Sequence, residues 1–291
     1  MMKLRYVALI LVIAVIIAFM VLAVGSPSKE RVEVSSTEKG VSFSSINEVK
    51  ITILVDNNPG REGLRTVWGF SALIEADGRK ILFDSGPDPE ILKHNAKILG
   101  INLSDIDFIV LSHEHGDHTG GMPYLAEVAY GAKVYLPSGI SSQVLERIKR
   151  LGFNVTSLQE PTELAPGIVT TGSMRGPPYE QGLIMVVKEL GSILITGCAH
   201  PKIEIMIQRA ANLTERVYAV IGGFHLVSAS DQRLKDIEET TRRLGVEKVF
   251  PMHCSGDKAR SFFKQSLPER YGDGHVGMTL VFSAKGVSII P

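Results

Sequence analysis

The chain has 291 residues, of which 44% are hydrophobic and 21% charged, and its 31 basic and 31 acidic side chains cancel. This is the composition of an ordinary globular protein, and its balanced charge gives no reason to expect nucleic acid or an acidic surface as partner. Only two cysteines are present, Cys198 and Cys254.

The N-terminus is a separate object. Tyr6 to Val24 is an uncharged apolar run that would span nearly 30 Å as a helix at roughly 1.5 Å per residue, enough to cross a bilayer core. Residues 1–25 are therefore expected to be a membrane anchor, with a secretory signal cleaved near Val21-Leu22-Ala23 as the competing reading. Lys3 and Arg5 precede the run, whereas Lys29, Glu30, Arg31 and Glu33 cancel after it. That bias leaves the remainder outside the cytoplasm, membrane-anchored or secreted. Residues 26–48, rich in Ser, Lys and Glu, read as a flexible linker. Residues 49–291 suffice for one large domain with its own core.

Within that domain Val49–Val55 alternates as a strand ending at Asp56. Val67–Ala76 and Arg79–Phe83 form a hairpin across Asp77-Gly78, and Asp88–Leu99 reads as a helix with Pro89 near its start. The apolar run Ile106–Leu111 is a buried strand, followed by a helix from Thr119 to Val128. Strands at 133–136 and 153–158 flank a helix at 141–151, and apolar runs at 168–171, 183–187 and 193–195 give a second set of strands. A helix at 201–213, a strand at 217–221, a helix at 231–244 and a short strand at Val249-Phe250 complete the reading. Two successive mixed blocks suit an α/β fold of two face-to-face sheets with helices outside, an αββα sandwich.

The chemistry concentrates where the strand at 106–111 ends, in Ser112-His113-Glu114-His115-Gly116-Asp117-His118-Thr119. His113 and His115 are two apart, so in an extended segment their imidazoles project to one side. Gly116 lets the chain turn and return Asp117 and His118 to the same space. Two nitrogen donors followed by an oxygen and a nitrogen suit a pair of transition-metal ions, zinc being the usual choice, with manganese or iron as substitutes.

This H-x-H-x-D-H pattern after a hydrophobic strand is similar to the signature of the metallo-β-lactamase fold. The resemblance extends to Leu82-Phe83-Asp84-Ser85-Gly86, Trp68-Gly69-Phe70-Ser71, Thr196-Gly197-Cys198-Ala199-His200, Gly222-Gly223-Phe224-His225-Leu226 and Pro251-Met252-His253-Cys254. Together these resemble the branch named for the archaeal dihydropterin-ribofuranosylaminobenzene-phosphate synthase. The resemblance implies that His113 and His115 bind one metal, that Asp117 and His118 bind the other, and that His200 and His253 supply one further ligand each. Asp84 would accept the outer imidazole N–H of a metal-bound histidine. His225 would contact substrate or transfer a proton, whereas His94 and His275 are structural or surface residues, His275 being the nearer to the pocket.

The chain departs from the familiar pattern twice. Cys198 stands where many relatives carry a metal-bridging Asp, so it is either a thiolate ligand or a neighbour of the ligands. Tyr179-Glu180-Gln181-Gly182 occupies a region where a histidine is usual, leaving Glu180 as a reserve ligand. A Cys198–Cys254 disulfide is the less favoured alternative for the two sulfurs. The implied activity is hydrolysis of a small-molecule ester or phosphoester by a metal-bound hydroxide oriented by Asp117. The alternatives are a transferase resembling the pterin synthase and a non-catalytic binding module. The expected partners are a small-molecule substrate and, through the N-terminal run, a membrane.

Overall fold

The computed structural model describes residues 43–290. Among these residues no helix is long and apolar enough to cross a membrane. The membrane placement expected from the sequence is corrected accordingly, and the run Tyr6–Val24 that carried it lies outside the described residues. Of the stretch read as a linker, the last residues pack on the domain. Ile46 is buried and bridges Val187, with Ile46 N–H donating to Val186 O at 2.9 Å.

One sheet has eight strands: β1 (Glu48–Val55), β2 (Ser71–Ala76), β3 (Arg79–Phe83), β4 (Phe108–Val110), β5 (Lys133–Pro137), β6 (Asn154–Leu158), β13 (Thr279–Ser283) and β14 (Gly286–Ile290). Their order is β14-β13-β1-β2-β3-β4-β5-β6. The second sheet, in the order β12-β11-β10-β9-β8-β7, holds β7 (Glu163–Ala165), β8 (Ile168–Thr170), β9 (Leu183–Val187), β10 (Gly191–Thr196), β11 (Val217–Gly223) and β12 (Lys248–Met252). Alternation along the strands builds three apolar layers. Ile51, Ile81 and Phe83 meet Met185, Ile193 and Ile221 between the sheets, while their neighbours face helices. Leu82 and Ile109 pack under α1 (Pro89–Ile98), α3 (Met122–Val128) and α4 (Ser142–Arg150). Leu194 and Val220 pack under α5 (Ile203–Thr214), α6 (Asp231–Arg243) and α7 (Gly256–Ser266). Each fully buried Leu or Ile contributes about 1.5–3 kcal/mol, so the four-layer αββα arrangement follows from strands that are apolar on both faces.

Three local departures from expectation have physical reasons. The helix expected over 119–128 is broken into α2 (Gly116–Thr119) and α3. A Cβ on Gly120 would meet Pro87 O at 1.9 Å and one on Gly121 would meet Ser85 O at 2.1 Å. Gly120 N–H is shared between Gly116 O and Gly86 O, both at 2.8 Å, and Gly121 N–H donates to Gly86 O at 3.1 Å, which ends the helical ladder. Val67 to Phe70 is a loop rather than the start of β2, because Phe70 N–H donates to Asp117 O. C-terminal to His253, α7, β13 and β14 were not assigned from the sequence, and β13 closes onto β1.

The strand directions place the chemistry. β1, β3 and β4 run the same way, as do β10, β11 and β12. Their C-terminal ends carry Asp56, Asp84, His113, His200, His225 and His253 at one edge of the sandwich, the usual place for a site in parallel sheets.

Candidate metal centre

Two groups of donors converge at this edge. His113, His115 and His200 bring one ligand atom each within 4.8 Å of one another, and so do Asp117, His118 and His253. Each group draws two residues from the loop after β4 in the first sheet and one from a strand end of the second. Cys198 joins them: its Sγ lies 3.3 Å from His118 Nε2, and it also falls within 4.8 Å of the His113 and His118 donors.

The outer ring nitrogens are engaged, which fixes the tautomers that face inward. His118 Nδ1 donates to Asp84 Oδ2 at 2.7 Å, leaving Nε2 toward Asp117 at 3.6 Å. His113 Nδ1 donates to Ser112 Oγ at 2.9 Å, and Ser112 Oγ donates in turn to Asp84 Oδ2 at 2.6 Å. Asp84 Oδ1 accepts Ser112 N–H at 2.7 Å. One buried carboxylate thereby orients an imidazole of each group. A Cβ on Gly197 would sit 2.0 Å from Ser112 Oγ and 3.0 Å from Asp84 Oδ2, so only glycine admits this arrangement. His253 Nδ1 donates to Asn57 Oδ1 at 3.0 Å, and Asp56 Oδ2 accepts His253 N–H at 2.9 Å.

Two inward nitrogens are orphans. His200 Nε2 and His253 Nε2 are buried without a hydrogen-bond partner; the latter stands 3.2 Å from Asp117 Oδ2 but is not aligned to donate to it. Buried polar atoms are rarely left unpaired, and an imidazole nitrogen aimed at other imidazole nitrogens is a donor set for a cation. His113 Nε2 and His115 Nδ1 face each other at 3.2 Å, a pairing that a shared cation would satisfy. The residues present therefore fit a metal, and their nitrogen, carboxylate and thiol donors suit zinc-like ions.

Two of the imidazoles are held in the ligating form. Burial, reinforced by His118 and His200, pushes the His113 pKa well below its usual value, and burial with His225 lowers that of His200 to about 3. Both rings are held neutral, the form that ligates. For His118, burial is outweighed by Asp84 and Asp117, and its pKa rises. For Asp117, burial is likewise outweighed by His253 and His118, which hold the carboxyl below its usual range. Asp84, Ala199, His225 and His253 all adopt positive φ, between 45° and 60°, a left-handed conformation that costs side-chain-bearing residues energy and gathers at functional sites.

Glu180, the reserve ligand of the sequence reading, does not face the donors. Its Oε1 accepts the N–H groups of Gly197, Cys198 and Ala199 and its Oε2 that of His200. His200, in the loop those oxygens hold, is the residue that joins His113 and His115. The two cysteines are free, and Cys254 Sγ lies 3.6 Å from Cys198 O. His225 is exposed beside His200, ring centroids 4.5 Å apart, and Cys254 raises its pKa. His94 bonds Gly63 O, and His275 lines a separate hollow with Asn58, Asp257 and Arg260. Asp56, Asn57 and Ser112 were not singled out as site residues from the sequence; a polar residue closing a buried strand, as Asp56 does, was the available signal. Trp68 is 51% exposed at the mouth, its ring 4.7 Å from that of His253.

Comparison with known proteins agrees with this architecture. Residues 69–253 match the metallo-beta-lactamase superfamily. The chain is 29% identical to the 7,8-dihydropterin-6-methyl-4-(beta-D-ribofuranosyl)-aminobenzene-5'-phosphate synthase of Methanocaldococcus jannaschii, over 83% of this chain and 99% of that protein. It is 31% identical to an uncharacterized protein of the same organism, over 78% of this chain and 98% of that one. The crystal structure of a metal-dependent hydrolase of the beta-lactamase superfamily, 27% identical, superposes with a TM-score of 0.67 and covers 80% of this chain and 98% of its own. The paired sheets, the donors gathered at their common edge and a match running from the loop before β2 to His253 lead to one conclusion: the chain belongs to the metallo-beta-lactamase superfamily.

Proposed function

We propose that the protein is a metal-dependent hydrolase of a small-molecule ester or phosphoester. His113, His115 and His200 would hold one ion, and Asp117, His118 and His253 a second, with Cys198 Sγ between the groups. The orphaned Nε2 atoms of His200 and His253, buried and aimed at the other donors, carry this reading. When bound, two such ions supply Lewis acidity toward a carbonyl or phosphoryl oxygen and make water acidic enough to serve as nucleophile at neutral pH.

The chain's own residues do the rest. Asp117, partly open to solvent and held ionised by His253 and His118, accepts a hydrogen bond from the attacking water and fixes its direction. Asp84 and Asn57 engage the Nδ1 atoms of His118 and His253, which turns the Nε2 atoms of both rings inward. His225, exposed at the mouth and with a raised pKa, holds a proton within reach of a leaving group.

A second reading rests on the match to the archaeal synthase over nearly its whole length: the same centre would assist a group transfer that yields the aminobenzene phosphate product in that protein's name. Purified protein loaded with zinc, manganese or iron and assayed on phosphoesters, lactones and thioesters tests the first reading. Product formation by the synthase reaction, with none of those esters cleaved, would replace it with the second.

A further inference from the structure

Glu180 is a fully buried acid whose two oxygens accept four consecutive main-chain N–H groups. Gly197, Cys198 and Ala199 donate to Oε1 at 3.1, 2.9 and 2.9 Å, and His200 donates to Oε2 at 2.8 Å. Successive N–H groups pointing at one spot form an anion-binding concavity, here made possible by Ala199 at φ 60° and filled from within the fold. Burial still raises the acid's pKa to about 7 against the pull of those N–H groups, so this carboxyl is kept buried at a cost.

The neighbouring residue extends the brace. Gln181 N–H donates to Ser112 O at 2.9 Å, and its side-chain amide donates to Leu111 O at 3.0 Å. Ser112 immediately precedes His113. The Glu180-Gln181 dipeptide thus grips the loop that carries Cys198 and His200 with one side chain and the root of the His113 loop with the next. Without Glu180, four N–H groups beside the centre would lose their partner.

We infer that Glu180 is a positioning residue: its carboxylate sets the 197–200 loop so that His200 is presented to the His113 and His115 donors and Cys198 Sγ to those of His113 and His118. This rests on the proposed two-ion centre.

The test is cobalt(II) reconstitution of the full chain, read by elemental analysis, by visible d–d absorption and by near-ultraviolet thiolate-to-cobalt absorption. In Glu180→Gln the amide oxygen still receives the three N–H groups of 197–199, but its NH2 meets the His200 N–H, donor against donor. The expected result is a retained thiolate band with cobalt affinity at the three-histidine group weakened about 10–100-fold, and partial recovery in Glu180→Asp. Wild-type stoichiometry, affinity and spectrum in both variants, with only a lower melting temperature, would overturn the inference and leave a purely structural acid. If Glu180→Gln does not fold, the same readings on Glu180→Asp decide, unchanged cobalt binding again counting against it. Wild-type protein that binds no cobalt would instead remove the two-ion reading beneath it.

Discussion

Replacing Asp84 by Asn keeps the shape of the side chain and removes its charge and one acceptor. In the native arrangement Oδ1 accepts the Ser112 N–H, while Oδ2 accepts the Ser112 hydroxyl and the His118 Nδ1–H, all within 2.6–2.7 Å. With the amide oxygen in the Oδ2 place, the new NH2 opposes the Ser112 N–H. With the oxygen in the Oδ1 place, it opposes His118 Nδ1. The imidazole can then respond only by moving its proton to Nε2, the atom 3.6 Å from Asp117 and 3.3 Å from Cys198 Sγ. Loss of such an orienting group weakens metal binding about 10–100-fold, or about 1.4–2.7 kcal/mol. Because Ser112 relays the same carboxylate to His113, Asp84→Asn should weaken both equivalents of zinc, whereas Ser112→Ala should weaken mainly the three-histidine group. Competition with a chromophoric chelator of known zinc affinity measures each equivalent, with thermal unfolding of the metal-free variants alongside. A folded Asp84→Asn protein with wild-type affinity for both equivalents would refute the reasoning, and a loss confined to one equivalent would refute the relay through Ser112.

Cys198→Ser should abolish the thiolate-to-cobalt band and weaken metal binding, because a neutral hydroxyl replaces an ionisable sulfur; unchanged metal content and affinity would place the sulfur outside the ligand set. Acidification from pH 7 toward pH 5 should release the ion at Asp117, His118 and His253 first. Protons compete sooner for His118, whose pKa is raised, than for His200, held at about 3, or His113, held well below its usual value. Equilibrium dialysis at stepped pH with the group-selective variants above reads the order, and its reversal would refute the assignment. Trp68 is the only tryptophan in the chain, so copper(II) entering the His253 group should quench the emission of the folded protein; bound copper without quenching would argue against occupancy beside that ring.

Much of this was legible in the sequence. Strands apolar on both faces, the Asp77-Gly78 hairpin and Pro89 at the start of its helix are local signals, and local signals read well. The donors of H-x-H-x-D-H are close in sequence, so their convergence was readable too. What escaped reading depends on contacts between distant residues. Glu180 looked like a spare ligand because nothing near it in sequence shows that the 197–200 backbone would take both its oxygens. Asn57 meets His253 only because β1 and β12 end at the same edge. The Gly120-Gly121 break needs the Ser85–Pro87 loop to be explained. β13 is a short alternating run whose Leu280 and Phe282 acquire meaning only beside β1.

The way each donor group is divided between the two sheets has a mechanical consequence. An ion on His113, His115 and His200, or on Asp117, His118 and His253, would be a further cross-link between halves of the sandwich joined by apolar packing and, at this edge, by hydrogen bonds such as Gln181 N–H to Ser112 O and His253 N–H to Asp56 Oδ2. Such a link closes long chain loops in the native state and is absent when the chain unfolds, so its binding energy adds to folding stability by about 2.7 kcal/mol when the free metal is a hundredfold above its dissociation constant. Chelation would then do more than stop turnover. It would loosen one edge of the molecule, leaving it to its hydrogen bonds, and so favour that rim as the first part of the domain to open.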